Sequence, residues 1–188
     1  MNSSNEDRAA RIVAKIKGSS KTVKPYPVPD EETVLVKLMK KNRTLAIKGL
    51  LHRKGTQHYV VLSAESLHGE EWVLERWVGI YGHEIGQVKE ALMDGFEVSA
   101  AMDEIDADSV ELPRILGALP RKNGTKQLRL TLEAYDKGRN LKLRAYQKEG
   151  DAWKWGDEWF FLLIDDLADI IPALTKAEEL LKDATPTE

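Results

Sequence analysis

Alternating apolar and polar residues define the first half of the chain. From Thr33 to Lys40, Val34, Val36 and Leu38 fall on one side, which is the period of a half-buried β-strand. Turns rich in asparagine or glycine separate three more strands predicted by the same period, at 44–52, 58–66 and 70–82.

The period then changes to that of a helix. Residues 84–93 place Ile85, Val88 and Leu92 on one face, as in an amphipathic α-helix. The first unit is therefore predicted to have the order β-β-β-β-α.

The second half repeats this order in outline. Segments 127–135 and 139–148 alternate cleanly, and residues 152–164 supply one or two further strands. A second helix is predicted at 165–181, with Asp165 or Asp166 as its N-terminal cap. These patterns indicate an internal duplication.

The predicted fold class is α+β, with antiparallel curved β-sheets formed by two β-β-β-β-α units after an N-terminal helix. Ser3 and Glu6 have the spacing of a capping box for that helix. Proline and glycine positions divide the chain into an N-terminal helix and Pro-rich linker at 1–32, a first unit at 33–93, an acidic connector at 94–125 and a second unit at 126–188.

The composition excludes several classes of protein. Because the chain has no cysteine, it has no disulfide, thiolate zinc site or cysteine nucleophile. No apolar run approaches the roughly 20 residues of a membrane-spanning helix, and the N-terminus lacks the apolar core of a secretory signal. We therefore expect an intracellular protein without a membrane partner, in the cytoplasm or nucleoid, or in the nucleus of a eukaryote.

No arrangement of residues predicts catalysis. His83-Glu84 begins like the zinc-protease helix signature, but Gln87 stands where that signature has its second histidine. Aspartates at the start of the second predicted helix are interpreted as capping residues rather than as a magnesium site. We expect no enzyme activity, no metal and no cofactor.

Charge is segregated along the chain, although the net charge is −3. Seven lysines and arginines and no acid lie between Val36 and Lys54, and nine against two acids lie between Arg121 and Lys148. The segments that follow each basic block are acidic. Because the local field governs attraction of a polyanion, the basic blocks favour a nucleic-acid partner despite the acidic total.

Basic and aromatic residues share one face of the predicted strand 139–148. Cations at alternate positions can neutralise phosphates, and a ring between them can stack a base. A solvated face of an antiparallel sheet has a similar pattern. A second basic cluster, in the first unit, nevertheless favours the binding interpretation. The predicted nucleic-acid-binding residues are Lys37, Lys48, His52, Arg53, Lys54, Arg129, Lys137, Arg139, Lys142, Arg144, Tyr146, Lys148 and Trp155.

Three tryptophans near the end of the second unit share one parity. On an unbroken strand Trp153, Trp155 and Trp159 would face the same side, either in the core or as a stacking platform. Gly156 could introduce a bulge that reverses this parity. The sequence leaves open which ring binds.

Residues 128–174 resemble the β-β-β-β-α module of the positive cofactor four family of transcriptional coactivators, which is similar in fold to Whirly proteins and Pur-alpha repeats. The matching residues lie in a turn, the second strand and the following hairpin: Lys137 and Gly138; Leu143, Arg144 and Tyr146; Trp153 and Gly156. Asp157, Glu158 and Trp159 depart from the Lys-Lys-Gly sequence that this family usually has there, which weakens the case for phosphate contacts at that point.

The resemblance implies binding of single-stranded DNA, or of RNA, with little sequence preference, in replication, repair or transcription coregulation. It also implies a homodimer or, as in Pur-alpha, two units of one chain packed as an intramolecular pseudo-dimer. A second hypothesis stays open, in which the fold is a protein-interaction module or homodimeric adaptor. Phosphate binding weakens steeply with salt whereas an aromatic protein interface barely responds, so salt separates the two.

Overall fold

Two antiparallel four-stranded sheets, each followed by a helix, form the described part of the protein. The computed structural model describes residues 24–104, 111–135 and 138–183, so the predicted N-terminal helix lies outside the described residues. The first sheet has the order β1 (Glu31–Lys40), β2 (Leu45–Lys54), β3 (Gln57–His68) and β4 (Glu71–Tyr81). The second has the order β5 (Arg114–Arg121), β6 (Lys126–Tyr135), β7 (Gly138–Glu149) and β8 (Ala152–Leu163).

Each sheet leads through a short 3-10 turn into a helix. These turns are Gly82–Glu84 and Ile164–Asp166, and the helices are α1 (Ile85–Glu104) and α2 (Leu167–Asp183). The predicted α+β class with two β-β-β-β-α units is confirmed. No helix in the described part of the chain is both long and apolar enough to cross a bilayer.

The interval 94–125, which the sequence presents as a connector, contains the end of α1 and all of β5. As an edge strand of alternating partial exposure, β5 has a weak apolar pattern, and only an edge position readily accommodates Pro120. The final segment of the second sheet is one long strand, β8, and α2 continues past Pro172 as a single helix.

The first strand also corrects the predicted pattern of Val34, Val36 and Leu38. A β-bulge between Val34 and Val36 shifts the pairing with β2, so that Val34 is exposed while Val36 and Leu38 pack against the core. A bulge changes which face a side chain takes, and this one lies between two apolar residues that give no local signal.

Both units contribute to one hydrophobic core. Val60 and Leu62 of the first sheet are buried in the same cluster as Leu143 and Phe160 of the second. The helices are exchanged, since α1 packs on β5, β6 and β7 whereas α2 packs on β1, β2 and β3. A Cβ on Gly95 of α1 would stand 2.5 Å from a methyl of Leu141, so the close approach of this helix to the second sheet requires glycine. The two units thus form an intramolecular pair.

Two equivalent turns show the duplication residue by residue. Lys41-Asn42-Arg43-Thr44 joins β1 to β2, and Lys122-Asn123-Gly124-Thr125 joins β5 to β6. In each turn the first three residues have positive φ, and the threonine Oγ1 donates to the lysine carbonyl, at 2.7 and 2.8 Å. The repeated Lys-Asn-x-Thr is therefore a sequence signature of the repeat, and it shows which residues of the two units are equivalent.

Two charge pairs cross between the units at equivalent places. Arg121 at the end of β5 donates through Nε to Glu84 Oε1 at 2.7 Å and through Nη2 to Glu84 Oε2 at 2.5 Å. Lys40 at the end of β1 pairs with Asp166. Both acids also cap their own helix by accepting from a backbone N–H, of Tyr81 or Leu163. Each unit therefore holds the helix start of the other.

We expect Arg121→Met to lower the free energy of unfolding by about 3 kcal/mol, because it leaves the buried Glu84 carboxylate without its guanidinium. Urea unfolding of the whole chain measures this. Arg114→Met, at an exposed position on the same strand, should change stability little. Equal stability of the two variants would show that the Arg121–Glu84 pair does not hold the units together.

Candidate nucleic-acid interface

The outer face of the second sheet, turned away from the helices, carries rows of cationic and aromatic residues. Neighbours directly opposite on adjacent strands share a face, and the pairing places Arg129 beside Arg144 and Arg144 beside Trp159. One row further along, Tyr146 pairs with Trp155. The buried leucines of the same strands occupy the other face.

The three tryptophans of β8 lie on this outer face. Between the Arg144–Trp159 and Tyr146–Trp155 pairs, β7 advances two residues while β8 advances four. The bulge therefore contains two extra residues and preserves parity, whereas a single extra residue would have reversed it. Trp155 is 74% exposed, so its ring is available as a stacking surface.

Arginine side chains lie against the rings. The Arg144 guanidinium carbon is 4.7 Å from the ring centre of Trp155 and 5.7 Å from that of Trp159. The Arg129 guanidinium is 4.4 Å from the ring of Tyr146 and 5.6 Å from that of Trp153. At these distances a cation is attracted to the ring quadrupole. The rings fix the position of each guanidinium while its charge stays uncompensated.

No carboxylate in the described part of the chain forms an ion pair with Arg129 or Arg144. The Arg144 Nε is buried and has no hydrogen-bond partner. By contrast, Lys142 on the same face donates to Glu133 at 2.9 Å, and Lys148 is exposed. Among the described residues of this face, Arg129, Arg144 and Lys148 therefore carry positive charge without an acidic partner.

Arg76 extends this surface from the first sheet. It lies on β4, whose edge adjoins β8, and its guanidinium is 4.0 Å from the ring centre of Phe161 and 5.5 Å from that of Trp159. The sequence interpretation missed Arg76. Its signal was the Glu75-Arg76 pair inside an otherwise apolar strand, where the structure has a β-bulge.

The predicted basic residues of the first sheet have different surroundings. Lys37, Lys48 and His52 share its outer face, but Lys48 pairs with Glu65 at 2.6 Å and His52 is fully buried. Arg53 lies in the row of Glu31, on the other face, and pairs with it. Lys54 at the end of β2 lines a cavity between the sheets. The predicted basic residues of the first sheet are therefore paired, buried or divided between two faces, and they do not form a cationic and aromatic face like that of the second sheet.

A segment of the Pro-rich linker covers this face of the first sheet. Tyr26 packs with Trp77 and His52, at ring-centre distances of 5.9 and 5.4 Å. The indole Nε1–H of Trp77 donates to the Lys24 carbonyl at 2.6 Å. Residues 24–27 are thus bound by their own chain along an aromatic surface.

The duplication explains the contrast, because equivalent positions carry different chemistry. The register of the two bulged strand pairs aligns Arg144 with Ser63, Tyr146 with Glu65, and Trp155 with Leu74. In the first sheet these exchanges remove the arginine, the stacking ring and the exposed tryptophan. Of the two sheets, only the second has an arginine, a tyrosine and an exposed tryptophan at these positions.

Two predicted binding residues remain, Arg139 and Lys137. Arg139 projects toward α1 and donates to Ser99, at 3.1 Å to its Oγ, and Lys137 lies outside the described residues. Within the described ranges, His, Asp and Glu residues form no group of three that could hold a metal ion.

Two cavities lie where the outer face of the first sheet meets the end of the second. The larger, of about 400 Å³, is lined by the linker, by Trp77 and by β8 residues Gly156, Asp157 and Glu158. The smaller, of about 150 Å³, lies between Lys54, Tyr59 and Arg121 and shares Trp77 and Glu158. The bulge of β8 therefore borders a cleft between the sheets.

Comparison with known proteins gives similarity in structure alone. No protein-family model and no curated protein sequence matches the chain. The structure of MRP1/MRP2 from Trypanosoma brucei aligns over 93% of this chain and 94% of that chain, with 9% identity and a TM-score of 0.38. WHY1 from Arabidopsis thaliana aligns over 81% of this chain and 86% of that chain, with 10% identity and a TM-score of 0.38. At such low identity and TM-score, neither likeness bears on function.

We expect His52 to make stability depend on pH. Burial lowers the pKa of His52 below its ordinary value of 6.5, and the hydrogen bond and charge of Glu32 only partly oppose this effect. As the pH falls below about 6.5, the unfolded chain takes up a proton that the folded chain does not, so stability is lost. Urea unfolding at about pH 7.5 and 5.5 should show a loss of at most about 1.4 kcal/mol from this residue.

His52→Gln should lose less stability than the parent protein over the same pH range. His83→Gln, at an exposed position, serves as the control and should behave as the parent does. An unchanged pH dependence in His52→Gln would contradict the assignment.

Proposed function

We propose that the chain binds single-stranded nucleic acid on the outer face of its second sheet, with single-stranded DNA favoured and RNA as the alternative. Most of the strand is held with little sequence preference, through phosphates and base stacking. The proposed setting is replication, repair or transcription coregulation inside the cell, without catalysis.

One observation carries the proposal. Arg129 and Arg144 lie against four aromatic rings with no carboxylate partner among the described residues, beside a tryptophan that is 74% exposed. A guanidinium against a ring keeps N–H donors at its edge, which suit a phosphate. The exposed indole offers a stacking plane for the base of the same nucleotide chain.

The exposed ring favours a single strand over a duplex. Base faces are hidden within a duplex, whereas every base of a single strand has a free π-face. Tyr146 and Trp155 lie side by side in one row across β7 and β8, and Trp159 lies in the row of Arg144, so the face carries rings in two rows. The structure therefore offers stacking and charge in the combination that single strands use.

We further propose that the protein self-associates through its helical side. Met93 and Phe96 of α1 are exposed there, and an apolar groove of about 500 Å³ runs between Phe96 and the start of α2. Association on this side would leave the outer face of the second sheet free.

The first experiment is a fluorescence-anisotropy titration of a labelled single strand of about 30 nucleotides, with a duplex of the same sequence, at about 50 and 200 mM salt. Salt-sensitive binding that favours the single strand supports the proposal. Absence of binding at low salt contradicts it, and leaves the protein-interaction module as the better hypothesis.

Trp155→Ala should weaken binding of the single strand by about 1–3 kcal/mol, or roughly five- to 150-fold, because one stacking plane is removed. Thermal stability should barely change, since the ring is largely exposed. Trp72→Ala is the matched control, because Trp72 is a 40% exposed tryptophan on the first sheet. Equal losses in the two variants would place the binding surface elsewhere.

Arg144→Gln should make the slope of log affinity against log salt less negative by about 0.7, the value for one phosphate contact on a single strand. Titrations at four or more salt concentrations measure the slope. Arg53→Gln, whose arginine pairs with Glu31 on the first sheet, should keep the parent slope. A parent slope in Arg144→Gln would show that this guanidinium does not contact phosphate.

A further inference from the structure

We propose that the larger cleft between the two sheets selects one base of the bound strand by the hydrogen-bond donors on its edge, and that it prefers guanine. This inference rests on the proposed function, because it places one selective position within an otherwise nonselective binding surface. The residues that make the selection are Glu158 and Asp157.

The cleft is built by three parts of the chain. Trp77 from the first sheet, Pro25 and Pro27 from the linker, and the β8 bulge enclose a cavity of about 400 Å³. Cavities of a few hundred Å³ that are mainly apolar with a few polar groups are typical small-molecule sites. Lys24 and Lys126 also line it, so cations are present for the phosphates that accompany a base.

The cleft continues directly from the proposed binding face. Trp155, the exposed stacking ring, is followed in sequence by Gly156, which lines the cleft, and its partner Tyr146 lines the cleft as well. A Cβ on Gly156 would stand 3.1 Å from the Ala145 carbonyl oxygen, so glycine permits the close approach of the two strands at the bulge. A strand stacked on Trp155 therefore has an adjacent nucleotide within reach of the cleft.

The carboxylates define what can enter. Asp157 and Glu158 form no ion pair with any described residue, although arginines and lysines lie close by. Ionised carboxylates only accept hydrogen bonds, and they repel phosphate. Their place in a cationic surface therefore suits a base that presents donors.

Guanine matches a carboxylate best among the four bases. Its N1–H and N2 amino group are adjacent donors on one edge, so both oxygens of one carboxylate can accept from it in parallel. Adenine and cytosine each offer an amino group beside an acceptor nitrogen, and thymine offers one N–H between two carbonyls. An acceptor held against a carboxylate oxygen is left unpaired and costs free energy.

The test measures the affinity of the whole chain for oligothymidylates of about 30 nucleotides that carry one central substitution by guanine, hypoxanthine, adenine or cytosine. We expect guanine to raise the affinity about tenfold over the unsubstituted strand. Hypoxanthine, which lacks the N2 amino group, should lose most of that gain.

The double variant Asp157→Asn with Glu158→Gln should bind all five strands with nearly equal affinity, at or above that of the parent for oligothymidylate. The matched control is Glu149→Gln with Asp151→Asn, which removes two exposed acids from the same hairpin and should keep the guanine preference. The selective cleft alone is overturned if the parent protein binds all strands with equal affinity, or if the variant of Asp157 and Glu158 keeps the guanine preference. If the parent protein binds none of the strands, the proposed function is overturned and the selective cleft with it.

Discussion

The exchange of helices between the two units is the constraint on which the other features depend. Because α1 packs on the second sheet and α2 on the first, both helices occupy the inner faces and one core forms from both units. The Arg121–Glu84 and Lys40–Asp166 pairs hold the helix starts across the units. The outer face of each sheet is then free of helices, and the chemistry of these two faces decides what the protein can bind.

The two outer faces have diverged on one backbone. Equivalent turns and the equivalent bulges of β1 and β5 keep the same register in both sheets, whereas the bulge of β8 has one residue more than that of β4. The first sheet carries Ser63, Glu65 and Leu74 where the second carries Arg144, Tyr146 and Trp155, and its aromatic surface is covered by Tyr26. The first outer face therefore holds the chain's own linker, whereas the second carries arginines packed against aromatic rings.

Aromatic rings rather than carboxylates hold the arginines of the second sheet. An ion pair would fix a guanidinium but cancel its charge, and a phosphate would then have to displace the carboxylate. A ring attracts the cation by roughly 0.5–2 kcal/mol and does not cancel its charge. The two carboxylates that line the adjoining cleft, Asp157 and Glu158, have no cationic partner among the described residues. The surface thus separates groups that suit phosphates from groups that suit base edges.

The sequence by itself determined the order of the elements in the first unit and the face on which Lys142, Arg144 and Tyr146 lie, because strand parity and helix period are local properties of the chain. It also determined that Trp153, Trp155 and Trp159 share a parity. It did not reveal β5, whose edge position requires little apolar pattern, nor the burial of His52 beneath Tyr26.

Only the tertiary structure decided which basic cluster stays uncompensated. Lys48 and Arg53 are paired by acids from β3 and β1, whereas Arg129 and Arg144 meet rings from β7 and β8. The two-residue bulge in β8, the contribution of Arg76 across the sheet junction and the cleft beside Glu158 likewise depend on contacts between residues distant in sequence. Local pattern specifies the strands, but the partners of each charge depend on how the strands are brought together.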